Sequence, residues 1–400
     1  MNSGFLNKLI ERSIDKIYPS QEAFLNAAQS GKKLRVYLGI DPTSSHLHLG
    51  HAANLLVLRQ LQEMGHEAML LIGDFTAMIG DPTDKSSARQ PLTAQEVKEN
   101  LKGYKKQAGL VLNFKGNNPV KVMFNSKWWR KIKMDDILKI SSHFTAQQMN
   151  QRDMFQDRIK KDKPIGLHEF FYPVMQGYDS IVMDVDAEIG GTDQTFNMLA
   201  GRDLMRTLKN KEKFVLTVKL LVNPKTDKKM SKSEGEVINL DDEPADMFGK
   251  VMAMNDDLIV PIAQLSTLMP QAELMTIKNE LEAGKNPKEL KMRVANWVVR
   301  TYFGERKAKS AEVEFKRVFE SHETPKEMKI FLATKPKMNI VEILSASGEA
   351  VSKSEARRLV EQGGVYIDGK RVPSADFEVS ATAEGAVIKI GRHRFLRLVK

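Results

Sequence analysis

Between Leu34 and Gly73 the chain runs through a strand, a helix and a second strand in close succession, and few patterns narrow a fold more. Leu34-Arg35-Val36-Tyr37-Leu38-Gly39-Ile40 is a short apolar run that ends in the loop residues Asp41-Pro42-Thr43-Ser44-Ser45, which predicts a buried strand. From His51 onward Leu55, Leu56, Leu58, Leu61 and Met64 recur at helical spacing until Gly65. Ala68-Met69-Leu70-Leu71-Ile72-Gly73 is the next strand. Two strands joined through a helix run parallel, because antiparallel neighbours need only a tight turn. The expected fold class is α/β with a parallel sheet.

A second pattern of this kind closes the first half. Ser180-Ile181-Val182-Met183-Asp184-Val185 and Ala187-Glu188-Ile189-Gly190 read as strands, Asp193 through Leu208 as a helix, and Phe214-Val215-Leu216-Thr217-Val218 as another strand. Residues 1–33 read as amphipathic helix, and residues 115–180 as an inserted segment of mixed helices. Residues 244–330 repeat helical patterns without a convincing strand, and Lys335-Pro336-Lys337 reads as a linker. The last unit predicts two short helices, Val341–Ser345 and Ser352–Glu361, before a strand Val365-Tyr366-Ile367 that enters an Asp368-Gly369 turn. The expected domains are 1–225, 226–335 and 338–400, since 400 residues exceed one ordinary core.

Pro42 through His51 lies where the first strand hands over to its helix, and open α/β sheets bind ligands at the carboxyl ends of their strands. The helix start offers unpaired N–H groups and a positive dipole end to an anion. In His48-Leu49-Gly50-His51 the glycine leaves the backbone approachable, and two imidazoles three apart can share a face and donate to phosphate or ribose oxygens. Two ordinary surface histidines ahead of a helix look the same in isolation. A second motif, Lys229-Met230-Ser231-Lys232-Ser233, lies in a polar run from Asn223 to Gly235. Alone it reads as a solvated lysine-rich loop. Beside the first motif it reads as a mobile set of ammonium and hydroxyl groups that closes over a pyrophosphate as charge develops. The pair in this order points to ATP-dependent activation of a carboxylate.

Composition sets the surroundings. The chain carries 61 Lys and Arg against 51 Asp and Glu, a formal charge of +10, which favours a polyanionic partner such as nucleic acid. It has no cysteine, which removes disulfides and thiolate metal sites and suits a reducing, cytoplasmic setting. Met1-Asn2-Ser3-Gly4-Phe5 lacks the basic-then-apolar plan of a secretion signal, and no apolar run approaches the ~18 residues of a membrane span. No membrane partner is expected.

Further motifs accompany the first two: Tyr37-Leu38-Gly39-Ile40-Asp41-Pro42-Thr43, Ile79-Gly80-Asp81-Pro82, Tyr172-Pro173-Val174-Met175-Gln176-Gly177-Tyr178-Asp179, and Gly190-Gly191-Thr192-Asp193-Gln194. Together they resemble the class I aminoacyl-tRNA synthetases, and within them the tyrosyl-tRNA synthetases of the bacterial kind, over nearly the whole chain. The resemblance implies a Rossmann-like catalytic domain, then an α-helical domain and a small α+β domain. It implies L-tyrosine and ATP with Mg²⁺ as substrates, tRNA(Tyr) as acceptor, no metal site of the chain's own, and a homodimer with residues 115–180 in its interface.

Roles for single residues come with it. Tyr37 and Asp179 would bracket the phenolic hydroxyl of tyrosine, Asp81, Tyr172 and Gln176 would hold its ammonium group, and Asn125 would stand on the same side. Gly39, Asp41, Thr43, His48, Gly50, His51, Gly191, Asp193, Gln194 and Lys232 would line ATP, with Thr43 and His48 at the phosphates and His51 and Asp193 near the ribose. Lys85 and Arg89 would neutralise the leaving pyrophosphate, joined by Lys229, Lys232 and Ser233. Leu38 and Asn54 depart from residues that contact the ribose in some members. Read from the residues alone, Tyr172, Gln176 and Asp179 fall on one helix face, as a partly buried polar helix would also have them. Asp81 before Pro82 also reads as a turn, and Asp193 as a helix cap.

Residues 339–400 resemble the S4 RNA-binding domain through Val351-Ser352-Lys353-Ser354-Glu355-Ala356-Arg357-Arg358 and Gly363-Gly364-Val365-Tyr366-Ile367-Asp368-Gly369. Lys353, Arg357 and Arg358 share a short helix, and Arg392, Arg394 and Arg397 form a second basic cluster, a platform for an RNA backbone. Three rivals stand against this reading. A tryptophanyl-tRNA synthetase is opposed by Tyr37 with Asp179 and by the tail. An RNA-binding protein that keeps the fold without catalysis is opposed by the intact motifs, and a simple nucleotidyltransferase by the set as a whole.

Overall fold

Six segments pair into one sheet: β1 (Ile14–Tyr18), β2 (Arg35–Ile40), β3 (Glu67–Ile72), β4 (Lys121–Phe124), β5 (Ala187–Gly191) and β6 (Phe214–Val218), in the order β1-β6-β5-β2-β3-β4. They belong to a computed structural model that describes residues 3–83, 92–225, 237–319, 328–382, 385–391 and 394–400. Neighbouring strands run parallel except β1, which joins β6 antiparallel. Val36, Tyr37 and Leu38 in β2 and the run Ala68–Ile72 in β3 are buried, as strands covered on both faces must be. The helix Leu49–Glu63 buries Leu49, Leu55, Leu56, Leu58 and Leu61. From β2 the chain winds outward to β3 and β4, then returns to β5 and β6 on the other side. The order therefore reverses between β2 and β5, and that crevice is where such sheets receive ligands.

Three local expectations need correction. Residues 1–33 are not helix throughout: β1 lies between the helices Ser3–Ser13 and Gln21–Gln29. A bulge sits between Ile14 and Lys16, and Ile14 and Ile17 are both buried three residues apart, which imitates a helical period. The run Ser180–Val185 is not a strand. It is mostly the end of the helix Phe171–Met183, whose Gly177 lets the helix Thr195–Lys209 pack closely: a Cβ there would stand 3.2 Å from the Cα of Gly201. Packing of Val174 and Ile181 against Leu204 and Met205 overrides the β-branched local preference. The 115–180 segment, expected as mixed helices, also contributes β4, four residues none of which is buried. Its helices include Met134–Ser141, Ala146–Asn150 and Asp153–Lys160.

The contacts gather into two compact units, Met1–Asp241 with Asn255–Leu290, and Asp242–Met254 with Lys291–Lys400. In the first, the Arg12 guanidinium donates to the carbonyls of Ala263, Gln264 and Thr267 at 2.7, 2.6 and 2.8 Å, capping the end of the helix Ile259–Leu265. In the second, the helices Pro244–Ala253 and Glu305–Phe319 meet through the rings of Phe248 and Phe315, 5.4 Å apart. The chain ends in β7 (Lys329–Leu332), β8 (Lys337–Asn339), β9 (Val365–Ile367), β10 (Lys370–Arg371), β11 (Glu378–Ser380), β12 (Ala386–Ile390) and β13 (Arg394–Val399), with the helices Ile340–Ala346 and Lys353–Glu361. Five of these strands form a sheet in the order β10-β9-β12-β13-β7 and β8 pairs with β11. Asp368 and Gly369 are both left-handed, the turn that suits a tight hairpin between β9 and β10. The expected linker Lys335-Pro336-Lys337 is tied down: Lys337 pairs with Ser380, and the Pro336 carbonyl accepts from Ala381 at 2.9 Å.

Candidate active site

His48 is the N-cap of the helix Leu49–Glu63. Its Nδ1 accepts the backbone N–H of Gly50 at 3.1 Å, and Nδ1 of His51 accepts the N–H of His48 at 3.1 Å, a reciprocal cap built from two imidazoles. With both Nδ1 atoms accepting, each ring carries its proton on Nε2, so each is a donor toward a ligand. Burial lowers both pKa values, and the neighbouring His48 ring, 4.1 Å away, helps hold His51 at about 3. Both are neutral at pH 7. Gly50 serves the cap itself, because a Cβ there would stand 2.8 Å from the His48 ring.

The chain downstream of the second motif is stitched to the first. Leu49 donates to the Ile238 carbonyl at 3.0 Å, Leu240 donates to the Leu47 carbonyl at 2.8 Å, and His46 pairs with Asp241 at 3.0 Å. Lys229, Lys232 and Ser233 lie outside the described residues, as do Lys85, Arg89 and Arg392.

The other candidates collect beyond the carboxyl ends of the parallel strands: Asp41 and Thr43 after β2, Asp81 after β3, Asn125 after β4, Asp193 and Gln194 after β5. A continuous hydrogen-bond chain joins several of them. The Tyr172 hydroxyl donates to Asp41 Oδ2 at 2.9 Å and the Thr76 hydroxyl to Asp41 Oδ1 at 2.7 Å. Asn125, fully buried, donates to Thr76 at 3.0 Å and to Asp179 Oδ2 at 3.1 Å. Trp128 and Trp129 donate their indole N–H groups to Asp179 Oδ1 at 2.7 and 2.8 Å. Burial pushes the Asp179 carboxyl up to about 7, against the three N–H donors that pull it down.

A second network lies beside it. The Tyr37 hydroxyl meets Ser180 Oγ at 3.0 Å, and burial with the Glu188 carboxylate nearby pushes its pKa well up. Lys213 Nζ donates to Ser180 Oγ at 2.9 Å and to Glu188 Oε2, and Gln176 Nε2 donates to Glu188 Oε1 at 2.8 Å. Gln176 Oε1 is buried and has no hydrogen-bond partner among the described residues.

Asp81 is engaged locally: its Oδ1 accepts from Thr83 N at 3.0 Å and Thr83 Oγ1 at 2.6 Å, with Arg152 4.0 Å away. Gly39 and Gly50 are half-buried and Gly191 is buried. The helix Thr195–Lys209 has Gln194 at its N-cap without a side-chain cap bond, and Asp193 lies in the short turn Thr192–Gln194 just ahead of it. Among the described residues no group of three or more His, Cys, Asp or Glu is placed to hold a metal ion. In the other unit Lys353, Arg357 and Arg358 are exposed on the helix Lys353–Glu361, and Lys353 and Arg357 line a cleft of about 430 Å³ with Asn339 and Glu342. Arg394 is occupied by Glu349, donating to its carbonyl at 2.6 Å, and Arg397 is half-buried.

Sequence reasoning passed over Trp128, Trp129, Thr76, Ser180, Glu188 and Lys213. The indoles follow Asn125 at once, but no spacing rule links them to a carboxylate 50 residues on. Lys213 gave one usable signal: a lysine directly before the apolar strand Phe214–Val218.

The family described as tRNA synthetases class I (W and Y) matches residues 29–320, and the S4 domain matches residues 338–384. A tyrosine–tRNA ligase of Haemophilus ducreyi is 38% identical over 97% of this chain and 96% of its own length. Tyrosine–tRNA ligases of Moorella thermoacetica and Thermotoga maritima are each 39% identical over 98% of this chain, and over 95% and 96% of their own lengths. Among solved structures, a C-terminally truncated mitochondrial tyrosyl-tRNA synthetase of Aspergillus nidulans aligns with a TM-score of 0.67 at 21% identity, over 79% of this chain and 94% of that one. The tyrosyl-tRNA synthetase of Archaeoglobus fulgidus complexed with L-tyrosine aligns at 0.60 and 22% identity, over 78% of this chain and 100% of that one. These two likenesses concern the fold.

Proposed function

We propose an assignment of residues to chemistry from one premise: the chain belongs to the class I tRNA synthetases, in their W and Y family, and joins tyrosine to tRNA at the expense of ATP. Tyrosine, rather than tryptophan, rests on near full-length identity with tyrosine–tRNA ligases. The carboxylate of tyrosine is ionised at neutral pH and attacks the α-phosphorus without a general base, giving tyrosyl-adenylate and pyrophosphate. Rate then comes from positioning and from charge stabilisation. The Nε2–H groups of His48 and His51, at a helix N-terminus, donate to phosphate and ribose oxygens beside Thr43. Asp193, Gln194 and Gly191 face the ribose side, and Lys85, Arg89, Lys229, Lys232 and Ser233 neutralise the departing pyrophosphate. Magnesium accompanying ATP would supply charge neutralisation at the phosphates, on the side of Thr43 and His48.

The observation that carries the tyrosine side is the polar face of the helix Phe171–Met183. Asp179 is held by three N–H donors, and Gln176 offers a buried acceptor without a partner. Asp179 and Tyr37 take the phenol, while Gln176, Tyr172 and Asp81 take the ammonium. Phenylalanine in such a pocket leaves buried polar groups unpaired, a discrimination for which tyrosyl-tRNA synthetases are themselves the standard example.

The acyl group passes to the 3′ end of tRNA(Tyr), whose backbone meets Lys353, Arg357 and Arg358. Two subunits associate through the 115–180 segment, where Met134, Leu138, Leu167 and Phe171 are 65%, 59%, 76% and 36% exposed beside an apolar groove of about 260 Å³. No helix among the described residues is long and apolar enough to cross a membrane, and the cytoplasm is the proposed setting. Pyrophosphate exchange in the variant His48→Asn tests the ATP side. Asparagine keeps the N-cap, so stability holds within about 0.5 kcal/mol while the exchange rate falls at least tenfold and the KM for tyrosine is unchanged. Equal loss in rate and tyrosine affinity would refute a phosphate-side role.

A further inference from the structure

Lys213 is 0% exposed and Glu188 2% exposed, an ion pair closed off from water beside Gln176 and the Tyr37 ring. Burying such a pair is costly, and apolar residues of similar volume often serve stability as well. Its partners suggest what it does instead. Glu188 reaches Lys213 with one oxygen and Gln176 with the other. An ionised carboxylate only accepts, so the group of Gln176 that faces it must be the NH₂. The amide carbonyl is then the end left over, and Gln176 Oε1 is the buried acceptor without a partner. Were Glu188 protonated, its O–H could donate to that carbonyl, the amide would turn over, and the pocket would receive a donor in its place. Lys213 stands against this: it is a donor only, its Nζ lies on Glu188 Oε2, and its other hydrogen bond goes to Ser180 Oγ at 2.9 Å.

We propose that the buried Lys213–Glu188 pair is a positioning element that fixes Gln176 with its carbonyl oxygen toward the ligand, and so makes the pocket select a cationic amino group. The inference rests on the proposed placement of Gln176 at the tyrosine ammonium.

A single and a double variant test it. The first, Lys213→Arg, keeps a buried cation on Glu188 and so keeps the carboxylate an acceptor only. The second, Lys213→Met with Glu188→Gln, replaces the ion pair by uncharged residues of similar length so that packing is kept, and offers Gln176 an amide that can donate as well as accept. Three ligands are compared in tyrosine-dependent ATP–pyrophosphate exchange, as substrate or competitor: tyrosine, tyramine, and 3-(4-hydroxyphenyl)propionate, which lacks the ammonium. The first variant should hold all three within about threefold of the wild type. The second should weaken tyrosine and tyramine about tenfold, and the propionate less than twofold, with the KM for ATP unchanged. A second variant that weakens all three ligands alike, or none of them, would overturn the inference, and so would equal losses in the two variants. The outcome separates from that of the underlying reading: a wild-type protein without tyrosine-dependent exchange removes the pocket assignment itself, whereas normal wild-type exchange with uniform losses removes only the role of the pair.

Discussion

At Asp179 burial and hydrogen bonding act in opposite senses, and burial wins. The carboxyl holds its proton to about pH 7 in the native protein, where an unperturbed aspartate releases it near 3.8. Its contribution to stability is therefore fully present below pH 4 and is lost as pH rises to 7. His51 runs the other way: with a native pKa of about 3 against 6.5, it costs stability as pH falls below 6.5. Binding a phenol hydroxyl favours the ionised Asp179. The KM for tyrosine should accordingly rise as pH falls from 8 to 6, with an inflection near 7 that Asp179→Asn abolishes. A flat wild-type profile would remove Asp179 from phenol recognition. At this scale the sequence marked Tyr37, Gln176 and Asp179 by resemblance, but the groups that orient them stayed hidden. Trp128, Thr76 and Lys213 act through contacts across the sheet that no local period records.

Among elements, the strands and helices that run with a clean period were legible: β2, β3, β5, β6 and the helix Leu49–Glu63. Those that failed have a physical reason. β1 carries a bulge that lends it a helical spacing, and β4 is four residues long with no buried face. The apolar run before Val185 is helical because two glycines let neighbouring helices close on one another. The helix Met134–Ser141 presents Met134 and Leu138, four apart, to solvent. Such an uncovered stripe is proposed to meet a second copy of the chain. Leu138→Asp should then shift the protein toward monomer by at least tenfold in dissociation constant, read by sedimentation equilibrium. A variant that sediments as the wild type does would clear this face of any role in assembly.

Over the whole molecule, the residues proposed for phosphate chemistry and those proposed for RNA recognition lie in differently matched segments. The histidine cap and the polar helix face belong to residues 29–320 matched by the synthetase family, while Lys353, Arg357 and Arg358 belong to the 338–384 S4 match. Deleting residues 338–400 should leave tyrosine-dependent pyrophosphate exchange within about twofold and lower the rate of tRNA charging at least tenfold. Unchanged charging would dissociate the tail from RNA. The division was visible in the sequence, since each part carries its own motifs. Less visible was the return of Ile238 and Leu240 to Leu47 and Leu49, which anchors the far side of the second motif at the first. Selection of tyrosine over every other amino acid is read by amino-acid-dependent ATP–pyrophosphate exchange. Exchange should appear with tyrosine and be at least a hundredfold weaker with tryptophan or phenylalanine. Exchange with tryptophan in the absence of any with tyrosine would make this a tryptophan-activating enzyme instead.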